Sequence, residues 1–155
     1  MKDVIELLKQ KNKTIATMES CTGGGIANAI TNCDGSSEVF SFSAVTYSNE
    51  YKIKMGVDEK IIEKYSVYSM ETAKEMAYKI SCFAKANYGI GVTGKFNKID
   101  NNNLQGDNNK VYVSIYDKDY KKYYNKEIIV DLNTRSALKE QIIEIVINEL
   151  ISIIK

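Results

Sequence analysis

Histidine is absent from this chain of 155 residues. A Ser-His-Asp triad, a Cys-His dyad and a His-ligated zinc site are therefore closed to a single copy of it. A serine nucleophile here must find its base in a lysine, a tyrosine, a carboxylate or a bound water. Proline is absent as well, and the abundance of Asn, Lys, Ile and Tyr carries no function by itself. Cysteine is scarce: Cys21, Cys33 and Cys82 form an odd set without a CxxC pair, which points to reduced thiols and a cytoplasmic location. No apolar run approaches the roughly 20 residues needed to cross a bilayer. Met1 to Lys11 is amphipathic and charged, unlike a secretory signal. Neither sign of charge dominates, since 21 Lys and Arg face 20 Asp and Glu for a net +1. No block of like charge marks a nucleic-acid footprint. Lysines and tyrosines between Lys118 and Lys126 have the composition to stack bases, but they read more simply as a half-exposed strand. The expectation is no nucleic-acid partner and no membrane partner.

What is present suits one α/β domain over residues 1–155, with 44% hydrophobic residues to fill a core and no repeat or linker. Val4, Leu7 and Leu8 give an opening helix its apolar face, and Thr14 to Met18 reads as a short strand. A helix is expected over Gly23 to Asn32 and a turn at Asp34-Gly35-Ser36-Ser37. Val39 to Tyr47 reads as a strand with Phe40, Phe42, Ala44 and Val45 on or near a buried sheet. Ser48-Asn49-Glu50 starts a helix, and Met55 to Asp58 separates it from another. Ser69 caps a long helix reaching about Ala86, with Met70, Ala73, Met76, Ala77 and Ile80 at helical spacing. Tyr88 to Thr93 is a further strand. Lys95 to Asn109 is polar and asparagine-rich, and the expectation is a loose, partly disordered loop. Val111 to Tyr116 and Tyr123 to Val130 make a hairpin, and Thr134 to Lys155 a final helix. Alternating strands and helices followed by a hairpin give a single three-layer domain, a mixed sheet flanked by helices.

Glu19-Ser20-Cys21-Thr22-Gly23-Gly24-Gly25 sits where the first strand turns into a helix. Backbone N–H groups are free at such a turn and the helix dipole favours negative charge. Glycine lets the main chain approach a ligand, and a nucleophile at Ser20 would have oxyanion donors beside it. The plainer reading is a cap and a turn, with Thr22 bonding the helix's N–H groups. The stretch lacks the lysine of a Walker loop and the spacing of GxGxxG.

Thr46-Tyr47-Ser48-Asn49-Glu50-Tyr51-Lys52 is the second constellation. It leaves a strand and enters a helix, so it can converge with Ser20 on the edge where open α/β sheets bind ligands. Tyr47 and Lys52 are the residue types here able to replace histidine as proton acceptor. Lysine serves as a base only when neutral, which requires its pKa to fall from about 10.4 toward neutrality. The alternative is a solvated helix-start lysine beside a packed tyrosine.

Together the ordered motifs ESCTGGG, GSS, TYSNEYK and MGV resemble those of the CinA C-terminal domain family. Ser69-Met70-Glu71-Thr72-Ala73-Lys74-Glu75-Met76-Ala77 is similar to the family's "SEETAxxMA" helix. Tyr88 to Gly94 is similar to its strand ending in "TGxAGP". The resemblance runs in register to about residue 94 and implies a nicotinamide-nucleotide amidase. Such an enzyme deamidates nicotinamide mononucleotide, releasing ammonia, without metal or organic cofactor. It implies Ser20 as nucleophile, Lys52 as general base and Tyr47 as an aid to proton transfer. It implies substrate contacts from Cys21, Thr22, Gly23, Gly24, Asn49, Thr93, Gly94 and Arg135. Cys21 is the rival nucleophile, but the family places its reaction on the serine.

The departures fall in the later part of the chain. The family's Ala-Gly-Pro and glycine-rich loop is replaced by Lys95-Phe96-Asn97-Lys98-Ile99 and the asparagines. Its "GDR" reads Asn133-Thr134-Arg135, with Lys139 in place of a second arginine, which neutralises phosphate without a bidentate fork. The other reading is a non-catalytic relative that binds a nucleotide or a protein partner. It would use an anion site at Thr22 to Gly25 with Arg135 or Lys110. The final helix carries apolar residues on more than one stripe, from Leu138 to Ile154. It either packs deep against the sheet or forms a homodimer contact, and the family's tendency to pair raises the latter. A chain of this length leaves no room for the second, N-terminal domain of many relatives, so cooperation with one would act in trans.

Overall fold

The computed structural model describes residues 1–155. The first strand, β1 (Ile15–Glu19), is buried along its whole length because it lies inside the sheet. It pairs in parallel with β2 (Phe40–Val45) on one side and β3 (Tyr88–Gly94) on the other. β3 pairs antiparallel with β4 (Lys110–Asp117), which pairs antiparallel with β5 (Lys122–Ile129). The sheet order is β2-β1-β3-β4-β5, a mixed five-stranded sheet.

Helices cover both faces. On one, α1 (Lys2–Gln10), α2 (Gly25–Thr31) and α6 (Arg135–Ile154) enclose a core built on Ile15, Ile90, Val92, Val113 and Ile115. On the other, α4 (Glu59–Tyr65) and α5 (Met70–Ala84) cover Ala16 and Met18. Between β2 and α4 lies α3 (Asn49–Lys54). The result is a single three-layer α/β domain, as the alternation of elements implies. Side chains of a strand alternate between faces, so β1 sends Ile15 to the α1–α2–α6 side and Ala16 and Met18 to the α5 side. The same parity carries Glu19 toward α2 and Ser20 toward α3.

Close approach of α5 to β3 depends on two glycines. A β-carbon at Gly89 would lie 2.0 Å from the Ala77 carbonyl oxygen, and one at Gly91 2.1 Å from that of Ala73. Ser69 accepts a hydrogen bond from Thr72 N at the start of α5, as expected of a cap.

Three expectations need correction, and α6 follows the deep-packing reading of its two. α1 buries Val4, Ile5 and Leu8, while Leu7 lies at the flank of the stripe and is half-buried. β2 is an edge strand, so Phe40, Phe42 and Ala44 are only half-buried and Val45 is exposed. α6 turns Leu138, Ile142, Val146, Leu150 and Ile154 into the core, and Ile143, Ile145, Ile147, Ile151 and Ile153 pack beside them. Its apolar surplus is thereby accounted for within one chain. The polar segment after β3 is a set of packed turns, because Lys95 turns inward. Lys95 Nζ donates to the carbonyls of Gln105 (3.1 Å) and Gly106 (3.4 Å) and to Asn108 Oδ1 (3.2 Å). Asn97 Nδ2 ties the same segment to the carbonyls of Val130 and Asp131.

Candidate active site

The three parallel strands end on one edge of the sheet, and neighbours leave β1 in opposite directions. Such a crossing point opens a crevice at the carboxyl ends of the strands. Ser20 follows β1, Thr46 and Tyr47 follow β2, and Gly94 and Lys95 end β3. Ser48 accepts from Tyr51 N at 3.3 Å and starts α3. One turn later α3 carries Lys52 inward against Ser20.

Lys52 Nζ lies 3.0 Å from Ser20 Oγ and donates to the Thr46 carbonyl oxygen at 2.6 Å. The side chain is 2% exposed, and none of the ion pairs of the fold includes it. Burial disfavours the ammonium form and lowers its pKa to about 8, against the opposing charge of Asp100. The Thr46 carbonyl holds one amine hydrogen, which leaves the nitrogen directed at the serine. The expectation that Lys52 is a solvated helix-start residue is excluded.

Glu19 organises the turn from behind. Its carboxylate accepts from Thr22 Oγ1 (2.7 Å), Thr17 Oγ1 (3.2 Å), Ile26 N (3.0 Å) and Ala27 N (2.8 Å). Thr22 therefore does not cap α2; Glu19 does, from a fully buried position. The N–H groups of Ile26 and Ala27, in the first turn of α2, are thus spent on a carboxylate and not offered to an anion. Sequence reasoning passed over Glu19; an acidic side chain just ahead of a helix N-terminus was the signal. The N–H groups of Cys21 and Thr22 remain without a partner in the chain, directly after the serine. Burial pushes the Cys21 thiol up to about 12, so no thiolate competes with Ser20 near neutral pH.

Ser20 opens onto a cavity of about 610 Å³, within the range of small-molecule sites. Cys21, Asn49, Gly94 and Arg135, expected at the substrate, line it too, as does Tyr47, expected to aid proton transfer. Thr22, Gly23, Gly24 and Thr93 do not: Thr93 Oγ1 donates to the Val67 carbonyl at 2.9 Å, and Gly23 faces Lys139 Nζ. Tyr47 is 64% exposed and its hydroxyl accepts from Arg135 Nη2 at 3.1 Å, with no hydrogen bond to Ser20 or Lys52. It stands with Arg135, whose guanidinium lies 5.0 Å from the Phe96 ring centre. Lys110 is held by Asp107 and Glu127, both at 2.9 Å, and offers no free charge to an anion.

The far wall comes from the segment after β3, which the resemblance sets at the substrate pocket but in which sequence reasoning named no site residue. Asp100 accepts from the Tyr68 hydroxyl, from Asn103 Nδ2 (2.9 Å) and from Asn102 N (2.9 Å). These donors, the Tyr68 hydroxyl foremost, hold its carboxyl below the usual range. Asn49 Nδ2 donates to Asn103 Oδ1 at 2.7 Å and closes the ring of contacts between α3 and this wall. No group of three or more Cys, Asp or Glu residues is arranged to hold a metal ion. No helix is long and apolar enough to cross a membrane.

The family model described as the CinA C-terminal domain matches residues 1–154. The chain belongs to the CinA C-terminal domain family. It is 50% identical over 93 residues to a CinA-like protein of Desulforapulum autotrophicum, a match taking in 59% of this chain and 22% of that relative. The chain thus spans about a fifth of the length of the curated relatives it matches. Among solved structures, a competence/damage inducible protein of Agrobacterium tumefaciens superposes with a TM-score of 0.83 at 26% identity, covering 99% of this chain and 96% of that one. A competence or damage-inducible protein of Enterobacter asburiae has the same fold, with a TM-score of 0.88 at 21% identity over 99% and 95% of the two chains.

Proposed function

We propose that this CinA-family domain is an amidohydrolase that converts nicotinamide mononucleotide to nicotinate mononucleotide and ammonia. The observation that carries the reading is the pair made by Ser20 and Lys52, a nucleophile that lines the cavity and a buried base 3.0 Å behind it. Neutral Lys52 takes the Ser20 proton as Oγ bonds to the carboxamide carbon. The carbonyl oxygen becomes an oxyanion held by the N–H groups of Cys21 and Thr22. The C–N bond then breaks as Lys52 returns the proton to the leaving nitrogen, and ammonia departs from an acyl-serine. Water, deprotonated by Lys52, attacks the ester and releases the carboxylate and free Ser20. No step calls for a metal or organic cofactor. Tyr47 contributes by holding Arg135 over the cavity mouth, where a guanidinium suits a phosphate. The family's tendency to pair extends the reading to a homodimer, checked by sedimentation of the purified chain.

The test is ammonia release from nicotinamide mononucleotide by the wild type beside Ser20→Ala and Lys52→Ala. Each variant is expected to lose about 10⁴-fold or more, and the double variant little beyond that, because the two act as one unit. Turnover that survives Lys52→Ala would remove the lysine from the mechanism.

A further inference from the structure

The segment that replaces the family's glycine loop puts a carboxylate into the cavity. Two acidic side chains line it, Glu50 and Asp100. Glu50 is paired with Lys54 on its own helix. Asp100 has no ion-pair partner; its contacts are a tyrosine hydroxyl, a side-chain amide and a backbone N–H, all fixing the oxygens without neutralising them. Lys95 lines the same cavity and its charge is felt at Asp100, but its ammonium spends its hydrogen bonds on the loop's own oxygens and makes no ion pair with the carboxylate. The cavity is therefore bipolar: Arg135, Lys98 and Lys95 supply positive charge, the last turned onto the loop, and Asp100 supplies negative charge.

The proposed substrate has the matching pattern. Its carboxamide is bonded to a pyridinium ring, so placing the amide carbon at Ser20 puts the ring's positive charge inside this cavity. The phosphate, at the other end of the molecule, belongs with the cations. We propose that Asp100 is a specificity-determining residue that selects carboxamides borne on a cationic ring over those on a neutral one. This inference rests on the amidase reading for its substrate class, and it concerns residues outside the nucleophile's turn. Tyr68 and Asn103 act as positioning residues, since they aim the carboxylate. That the Asp100 charge is felt at Lys52 agrees with its facing the reacting end of the cavity.

The experiment measures binding, so that it does not depend on turnover. Dissociation constants are taken by calorimetry at pH 8 for nicotinamide mononucleotide and for its reduced dihydro form, which keeps the amide and phosphate but has a neutral ring. The proteins are Ser20→Ala alone and Ser20→Ala carrying Asp100→Asn or Asp100→Glu. The expected result is a preference of roughly tenfold for the cationic ring. Asp100→Asn removes that preference by weakening the cationic ligand alone, while Asp100→Glu keeps it. Equal affinity for the two ligands before Asp100 is changed overturns the proposal, and so does a preference that survives Asp100→Asn. Absence of binding by either ligand overturns it as well. Ammonia release by the wild type is followed in parallel. Charge-selective binding without release would leave Asp100 in place and sink the amidase; release without charge selectivity would do the reverse.

Discussion

Lys52 meets two opposed demands, since a base must be neutral near working pH and a buried ammonium destabilises the fold. Its pKa falls from 10.5 to about 8 through burial, so the neutral form dominates only above about pH 8. The kcat/KM for ammonia release is therefore expected to rise with pH through one ionisation near 8. A profile flat from about pH 6.5 to 9 would exclude the lysine as base. Stability carries the same group with a definite sign. Between the folded pKa of about 8 and the ordinary 10.5, the unfolded chain binds more protons than the folded one. Stability contributed by this group thus rises with pH across that window. Below it, keeping the ammonium buried costs roughly 3 kcal/mol. Lys52→Met is of similar length and uncharged; it leaves the Thr46 carbonyl without its donor, while Ser20 Oγ, which also loses one, faces the cavity. It is expected to gain roughly 1–2 kcal/mol at pH 7 and to abolish turnover, with the gain gone by about pH 10.5. Urea midpoints at pH 7 and pH 10 check both signs; a variant weaker at pH 7 would contradict the account.

Elements were readable where their cause is local. The apolar run of β1, the hydroxyl of Ser69 and the three- and four-residue spacing of α5 act within a few residues of themselves, and all three lie where the sequence puts them. The pairing of Ser20 with Lys52 was readable for a related reason. Both sit just past strands that a parallel sheet must end on one edge. What escaped depends on partners distant in the chain. Lys95 makes the polar segment a packed wall through carbonyls 10 and 11 residues on, and nothing in the asparagine runs announces it. Glu19 looks like a member of the motif until α2 is seen resting on its oxygens. Gly91 shows the element scale most sharply, since α5 lies against its bare α-carbon. A methyl there would meet the Ala73 carbonyl oxygen at 2.1 Å and the Ala77 nitrogen at 2.6 Å, backbone atoms of a helix that must move as a body. Gly91→Ala is expected to cost about 3 kcal/mol, read as a lower urea midpoint with an unchanged slope. A loss below about 0.5 kcal/mol would show that α5 shifts freely on the sheet.

At the scale of the molecule, the cavity divides between two kinds of structure. Its floor belongs to the sheet: Ser20, and Lys52 behind it, are fixed by the ends of β1 and β2 and by α3. Its far wall belongs to the segment after β3, which contains no regular element and which Lys95 holds from inside. Lys95 is 4% exposed, its ammonium satisfied by three oxygens of the loop and by the Tyr68 ring at 4.8 Å from its centre. Removing that one cation should free the wall without touching the floor. Lys95→Met is therefore expected to raise the KM for the nucleotide by about tenfold, because Asp100 and Asn103 lose their support. It should leave kcat within about threefold, because the Ser20–Lys52 pair has no bond to Lys95. Hydrogen exchange separates this from general destabilisation: amides of residues 97–108 should exchange faster, while those of β1, β3 and α5 stay protected. If kcat falls as far as kcat/KM, or if protection is lost evenly across the sheet, floor and wall are one cooperative unit. The catalytic pair would then depend on the loop as much as the substrate does.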